Sequence, residues 1–200
     1  MTPEELAALT HRPGPGTHHA TVHVAGVATP ALADLPPLRD HLLFVGLSPS
    51  SESLEAGHYQ QGKPGRTFWR RLMLATLLPS GTAVEDADDA LVAAGHGITD
   101  LVKTAPAADE ATDAELRSGV GPLWQKVAIW RPAAVVFIDK RAATACAGRP
   151  LAESWGQVEG LALAGRPCFL MPGAYGSTEE VDEGLNFLRN LAAALPHDRA

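Results

Sequence analysis

The sequence predicts an α/β fold, a three-layer α/β/α sandwich around a central, mostly parallel four-stranded sheet. Two observations carry this. Four short apolar runs recur along the chain, Leu42 to Leu47, Gly97 to Val102, Ala133 to Ile138 and Pro167 to Met171. Near-continuous apolar strands of this kind belong to sheets covered on both faces. Between them lie segments of helical period or composition: Thr67 to Leu78, Val84 to Ala94, Asp113 to Trp130 and Lys140 to Ala147, with Thr178 to Leu195 closing the chain. Strands alternating with helices place the helices on both faces of a parallel sheet.

The 200 residues, 46% hydrophobic and 20% charged, suit one domain with a sizeable core. No internal repeat or low-complexity linker divides them, so a single domain spanning 1–200 is expected, with 1–40 as an N-terminal helix and extended arm and 41–200 as the core. Thr2-Pro3-Glu4-Glu5 opens the helix: Thr2 can cap, Pro3 takes the first helical position and Glu5 completes a capping box. His11 to Gly16 is a Pro/Gly-broken loop, and Ala20 to Thr29 alternates as a strand or hairpin arm.

No apolar run reaches the ~18 residues a membrane helix needs, so no membrane is expected. The N-terminus carries acids before any base and lacks the apolar stretch of a secretory signal, which points to a cytoplasmic, reducing setting. Cys146 and Cys168 are the two cysteines, too few for a four-cysteine zinc or iron–sulfur site, and they read as buried thiols. A net charge of −7 and a pI near 5.6 argue against nonspecific coating of nucleic acid, but leave room for a local basic face.

His18, His19 and His23 have no acid or cysteine close by in sequence and read as surface histidines. Glu85, Asp86, Asp88 and Asp89 form an acidic run at a helix start, where they favour the helix dipole. Glu52 and Glu55 read as solvated, and Trp124 and Trp130 as helix-packing residues. No metal and no cofactor are therefore expected.

Ligands of open α/β sheets bind outside the carboxyl ends of the strands. That rule singles out Ser48-Pro49-Ser50-Ser51, Asp100 through Pro106, Asp139-Lys140-Arg141, and Pro172-Gly173-Ala174-Tyr175-Gly176-Ser177. The long polar loop from Ser48 to Thr67 carries Tyr59, Lys63 and Arg66, and long loops at strand ends tend to be functional. The following helix opens with Phe68, Trp69 and Leu72 facing the core and with Arg70 and Arg71 near its start, either solvated or facing an anion. The absence of a G-x-G-x-x-G or G-K-S loop counts against an unrelated nucleotide-binding protein.

Several of these segments resemble, in order, motifs of the mismatch-specific uracil-DNA and thymine-DNA glycosylases of the uracil-DNA glycosylase superfamily. Val45-Gly46-Leu47-Ser48-Pro49-Ser50 is similar to V-x-G-I-N-P-G. Gly57-His58-Tyr59 followed by Pro64-Gly65-Arg66-Thr67-Phe68-Trp69 resembles G-H-H-Y-P-G-P-G-N-H-F-W with two extra residues. Gly97 to Val102 resembles G-V-T-K-L-V, Trp155-Gly156 a W-G pair, and Met171-Pro172-Gly173 the start of L-P-N-P-S. The similarity runs from about Leu42 to the C-terminus.

The resemblance implies a metal-independent, monofunctional, monomeric DNA glycosylase. It would flip uracil, or a related damaged or mismatched pyrimidine, out of DNA and hydrolyse the N-glycosidic bond in base excision repair. Flipping needs a pocket for the base and a wedge for the gap. By resemblance, Gly46, Leu47 and Tyr59 bind the base, with Tyr59 as the stacking platform. Backbone N–H groups between Gly46 and Ser50 stabilise the departing uracil anion. Lys63, Arg66, Arg70, Arg71 and Lys140 meet phosphates, and Gly173, Ala174, Tyr175, Gly176 and Ser177 form the wedge loop.

Two departures from the family pattern matter. The Asn that positions water is replaced by Ser48, which is no base at neutral pH. Asp100, where the family has Lys or Asn, can take over as the second catalytic candidate, unless it merely caps a loop or pairs with Lys103. The wedge loop lacks the family's Arg and offers Tyr175 as a plug instead. If Ser48 is too poor a catalyst, the chain is instead a DNA-binding module of the same fold that recognises flipped bases or abasic sites.

Overall fold

The computed structural model describes residues 10–105, 111–152, 155–173 and 177–194. The N-terminal helix expected over 2–10, and Ala174, Tyr175 and Gly176 of the wedge loop, lie essentially outside the described residues.

The arm over 20–29 is a hairpin. β1 (His19–Val24) pairs antiparallel with β2 (Val27–Leu32) through a tight turn at Ala25-Gly26, both with positive φ. β3 (Leu42–Gly46) then enters the main sheet and is followed by α1 (Ser51–Ala56) and α2 (Lys63–Leu74). A 3₁₀ turn (Val84–Asp86) leads into α3 (Ala87–Ala93) and β4 (Gly97–Asp100). α4 (Asp113–Trp130), β5 (Ala134–Phe137), α5 (Lys140–Ala147), β6 (Gly156–Leu163), β7 (Arg166–Leu170) and α6 (Thr178–Ala193) complete the chain.

The main sheet has the order β4-β3-β5-β7-β6, with all neighbours parallel except β6 and β7. It thus has five strands rather than the expected four. The extra strand, β6, is an antiparallel edge with mixed exposure and a register irregularity between Gln157 and Ala162. Gly156 and Gly160, both at positive φ, and the exposed Glu159 hide it from a search for apolar runs.

Alternation along the central strands builds the layers. Leu42 and Phe44 of β3 pack with Phe68, Trp69 and Leu72 of α2, Leu91 of α3, and Leu185 and Leu188 of α6. Leu43 and Val45, pointing the other way, pack with Leu123, Val127 and Trp130 of α4 and Ala142 and Ala143 of α5. Burying a side chain such as Phe44 or Leu72 contributes roughly 1.5–3 kcal/mol. Both cysteines are free, Cys168 is buried, and burial pushes each thiol up to about 12. No described helix is long and apolar enough to cross a membrane.

Helix α2 starts four residues before the expected Thr67. Pro64 sits in its first turn, where a missing N–H is harmless, and the apolar stripe begins only at Phe68. Its start is locked to the preceding loop: a Cβ on Gly65 would collide with the carbonyl of Gln60, while Trp69 Nε1 donates to the Tyr59 carbonyl at 3.2 Å. That lock aims the loop after α1 at the strand ends.

Candidate active site

The connection after β3 leads to α2 on one face, and the connection after β5 leads to α5 on the other. Two adjacent parallel strands whose connections leave in opposite directions open a crevice at their carboxyl ends. A cavity of about 500 Å³ lies there. Gly46, Leu47 and Ser48 line it from β3, Gln60, Pro64, Phe68 and Arg71 from the α2 side, Ile138, Asp139 and Lys140 from β5, and Met171, Pro172 and Gly173 from β7. A smaller cavity of about 290 Å³ shares Ser48, Gln60 and Pro64 with it and is also lined by Tyr59 and Asp100.

Ser48 and Asp100 thus meet in the smaller cavity, and Ser48 faces both. Within the described residues the Leu47 and Ser48 N–H groups donate to no protein acceptor, while the Gly46 and Leu47 carbonyls accept from Leu101 N at 3.0 Å and Val102 N at 2.9 Å. The turn therefore exposes donors and occupies its acceptors, the polarity an anionic leaving group needs.

Asp100 ends β4 in register with Gly46. It is 3% exposed and its Oδ1 has no hydrogen-bond partner among the described residues. A Cβ on residue 46 would collide with that oxygen, so glycine is what lets the carboxylate approach the β3 backbone. Burial pushes the Asp100 carboxyl up to about 6, moderated by Lys103, reinforced by Asp34 and opposed by Lys126.

Beneath Asp100 lies a charge network. Asp34 binds Lys103 Nζ and Lys126 Nζ, each at 2.8 Å, and accepts from Thr99 Oγ1 at 2.5 Å. Burial alone would raise the Asp34 carboxyl, but the two lysines outweigh it and hold it well below the usual range. Burial likewise opposes the Lys103 charge, yet Asp34, Tyr59 and Asp100 raise its pKa. Burial lowers the pKa of Lys126 against the pull of Asp34. Two lysines against Asp34 leave one positive charge that an ionised Asp100 balances. The simple Asp100–Lys103 pair is not what forms: Lys103 donates to Asp34 and, at 3.0 Å, to the Tyr59 hydroxyl.

Tyr59, expected as the stacking platform, sits in a different setting from the one that role suggests. It is fully buried, and its hydroxyl donates to the Ala33 carbonyl at 2.8 Å while accepting from Lys103. Its side chain borders the smaller cavity and not the larger one. Among the described residues, Phe68 is the aromatic residue that lines the larger cavity. The sequence hinted at Phe68 only as a core residue, which it also is.

Among the cations, Lys63, Arg66 and Arg70 are exposed on α2 at spacings of three and four, hence on one stripe, and exposed Lys140 lies at the cavity's β5 side. Arg71 does not join them. It is buried, its Nη1 donates to the Pro172 carbonyl at 2.6 Å and its Nη2 to the Gly173 carbonyl at 3.0 Å, so it clamps the loop after β7. At the far end of that loop, Ser177 caps α6 by accepting from Glu180 N at 3.3 Å. Trp130 packs in the core as expected, whereas Trp124 is 49% exposed.

Gln60, Asp34 and Lys126 were not visible as site residues. Gln60 reaches both cavities from a positive φ of 55°, and Asp34 and Lys126 come from segments 92 residues apart in sequence numbering. His18 also departs from expectation: it is 3% exposed rather than on the surface, while His19 and His23 are exposed.

No curated protein sequence matches the chain. The sequence model of the Uracil DNA glycosylase superfamily matches residues 33–197, which takes in β3 to α6 and every described residue of the crevice. With this model covering most of the chain, including the crevice at the ends of β3, β5 and β7, the protein belongs to the uracil DNA glycosylase superfamily.

Proposed function

We propose that the protein is a monofunctional glycosylase of the mismatch-specific and thymine branch, excising uracil or a related pyrimidine from DNA, with Asp100 activating the water. The observation that carries this reading is the Asp100 carboxylate, buried, unpartnered at Oδ1 among the described residues and set against Gly46 where the strand ends meet. Superfamily membership supports DNA glycosylase activity in general; the ordered motifs support the branch.

The flipped base enters the larger cavity, where Phe68 provides an aromatic wall and the Leu47 and Ser48 N–H groups face its oxygen. As the N-glycosidic bond breaks, negative charge gathers on the base and positive charge on the sugar, as in other glycosyl hydrolyses. Asp100 balances the sugar cation and accepts a proton from a water held with Ser48 in the adjoining cavity. The water oxygen bonds to the sugar carbon and the base leaves with the bonding electron pair. Lys63, Arg66, Arg70 and Lys140 hold phosphates, and the loop after Gly173 fills the gap in the duplex.

The test is incubation of the purified protein with labelled oligonucleotides carrying uracil opposite G, opposite A or unpaired, followed by hot alkali. Strand cleavage at uracil supports the reading. Tight binding without cleavage on any substrate would favour a DNA-binding module instead.

A further inference from the structure

Away from the crevice, three segments distant in sequence bring a second set of polar side chains together. His18 stands just before β1, His58 lies in the loop between α1 and α2, and Asp88 and Asp89 occupy the first turn of α3. One donor atom from each lies within 4.8 Å of the others. His18 Nε2 is 3.0 Å from Asp89 Oδ1 and 3.9 Å from Asp88 Oδ2, and His58 Nδ1 is 2.9 Å from Asp88 Oδ1.

We propose that His18, His58, Asp88 and Asp89 form a binding site for one divalent transition-metal ion of the zinc class. Two imidazoles and two carboxylates are a donor set that zinc accepts, at metal–ligand distances of about 2.0–2.2 Å. Tetrahedral donors at that radius stand roughly 3.4 Å apart, and one donor atom from each of the four residues already lies within 4.8 Å of the rest. Without the ion, His18–Asp89 and His58–Asp88 are hydrogen-bonded pairs, and the ion takes the place of the shared protons.

The charges agree as well. Two carboxylates and two neutral imidazoles around a divalent ion sum to zero, in a place where Asp88 is fully buried and His18 nearly so. The ligands are also held from behind. Asp88 Oδ2 accepts from Tyr59 N at 2.8 Å, Asp88 Oδ1 from Asp89 N at 3.0 Å, and Asp89 Oδ2 from Gly16 N at 2.8 Å. Hydrogen bonds of this kind orient carboxylate ligands in metal sites.

An ion here staples the N-terminal arm to α3 and to the loop that carries Tyr59 and Gln60. Its role is structural, since none of the four ligands lines the crevice. The proposal stands apart from the reading of the active site and can fail or hold independently of it.

The test is titration of metal-stripped, full-length protein with zinc, read by calorimetry, and with cobalt(II), read by its visible absorption. One ion per chain and a melting temperature that rises with free zinc are expected. His18→Gln and Asp89→Asn should each weaken zinc binding at least about tenfold, as loss of even an outer-shell partner does, and shrink the zinc-dependent melting shift. His23→Gln, on the exposed face of the hairpin, should leave both unchanged. If His18→Gln does not fold, Asp89→Asn on the half-buried side decides alone. Failure of the wild-type protein to bind stoichiometrically, or undiminished zinc binding in Asp89→Asn, overturns the proposal and leaves a plain histidine–aspartate network.

Discussion

Asp100 and Gly46 stand side by side at the ends of two parallel strands, so close that any side chain on residue 46 would strike the carboxylate oxygen Oδ1. The pair joins a buried acid to the backbone turn that lines the larger cavity. General-base assistance contributes about 10²- to 10⁴-fold. Asp100→Asn should therefore lower single-turnover excision by roughly that factor while binding to an abasic analogue stays nearly intact. Ser48→Ala should lose less. Near-wild-type excision by folded Asp100→Asn would remove Asp100 from the mechanism.

The same carboxylate makes activity and stability run in opposite directions with pH. Its pKa is raised to about 6 by burial, with Lys103, Lys126, Asp34 and Tyr59 as the ionisable groups around it. The folded state thus binds its proton more tightly than the unfolded chain. The stabilisation is full below the unfolded pKa near 4 and is lost as pH rises through about 6. Excision, which needs the ionised form, should rise over the same interval. Asp100→Asn should be more stable than wild type at pH 8, by up to roughly 3 kcal/mol. Thermal melts and rates measured from pH 4.5 to 8 check both; an Asp100→Asn protein that melts lower at every pH contradicts the assignment.

Gly46→Ala should disturb both functions of the contact. Forcing a methyl group into the packed strand end typically destabilises by about 1–3 kcal/mol, and displacing the carboxylate should depress excision beyond what the lost stability explains. Comparing Gly46→Ala with Gly46→Ala/Asp100→Asn separates the effects, because the second substitution should cause little further loss of rate if the first has already displaced the acid.

Phe68 and Tyr59 should respond in different ways. Tyr59→Phe leaves the Ala33 carbonyl without its donor and removes one of the two acceptors of Lys103, which keeps Asp34, a destabilisation of about 1–3 kcal/mol, yet its folded fraction should cut normally. Phe68→Ala should weaken binding of the flipped base by about 1–3 kcal/mol, the worth of one stacking contact, with a further loss of core packing. Rates normalised to folded protein, with chemical denaturation on the same samples, distinguish the two.

Neutralising Lys63, Arg66, Arg70 or Lys140 should weaken binding to all duplexes alike and lower the slope of log affinity against log salt by about one unit each. Arg71→Gln should not change that slope. It releases the Pro172 and Gly173 carbonyls, so its effect should fall on excision from duplex rather than on salt dependence.

The four parallel strands, the helices after them and the basic residues of α2 were legible from sequence, since apolar alternation and helical period are local properties of the chain. Helix starts were less so. Pro64 and Gly65 begin α2 before its apolar stripe shows, because what they obey is the fit of the helix end against Gln60. The edge strand β6 carries too many glycines and polar residues to announce itself, and it exists through its pairing with β7.

By itself the sequence determined where the strand ends fall and so named Ser48 and Asp100 as candidates, which the structure brings to one smaller cavity. Only the tertiary structure decided how each side chain is set there. It buried Tyr59 and Arg71 in supporting positions, turned Phe68 to the cavity, and balanced Asp34 against Lys103 and Lys126 beneath Asp100. It also gathered His18, His58, Asp88 and Asp89 from three segments. The reason is physical: burial, charge balance and ligand geometry are sums over neighbours, and here the neighbours come from far apart along the chain.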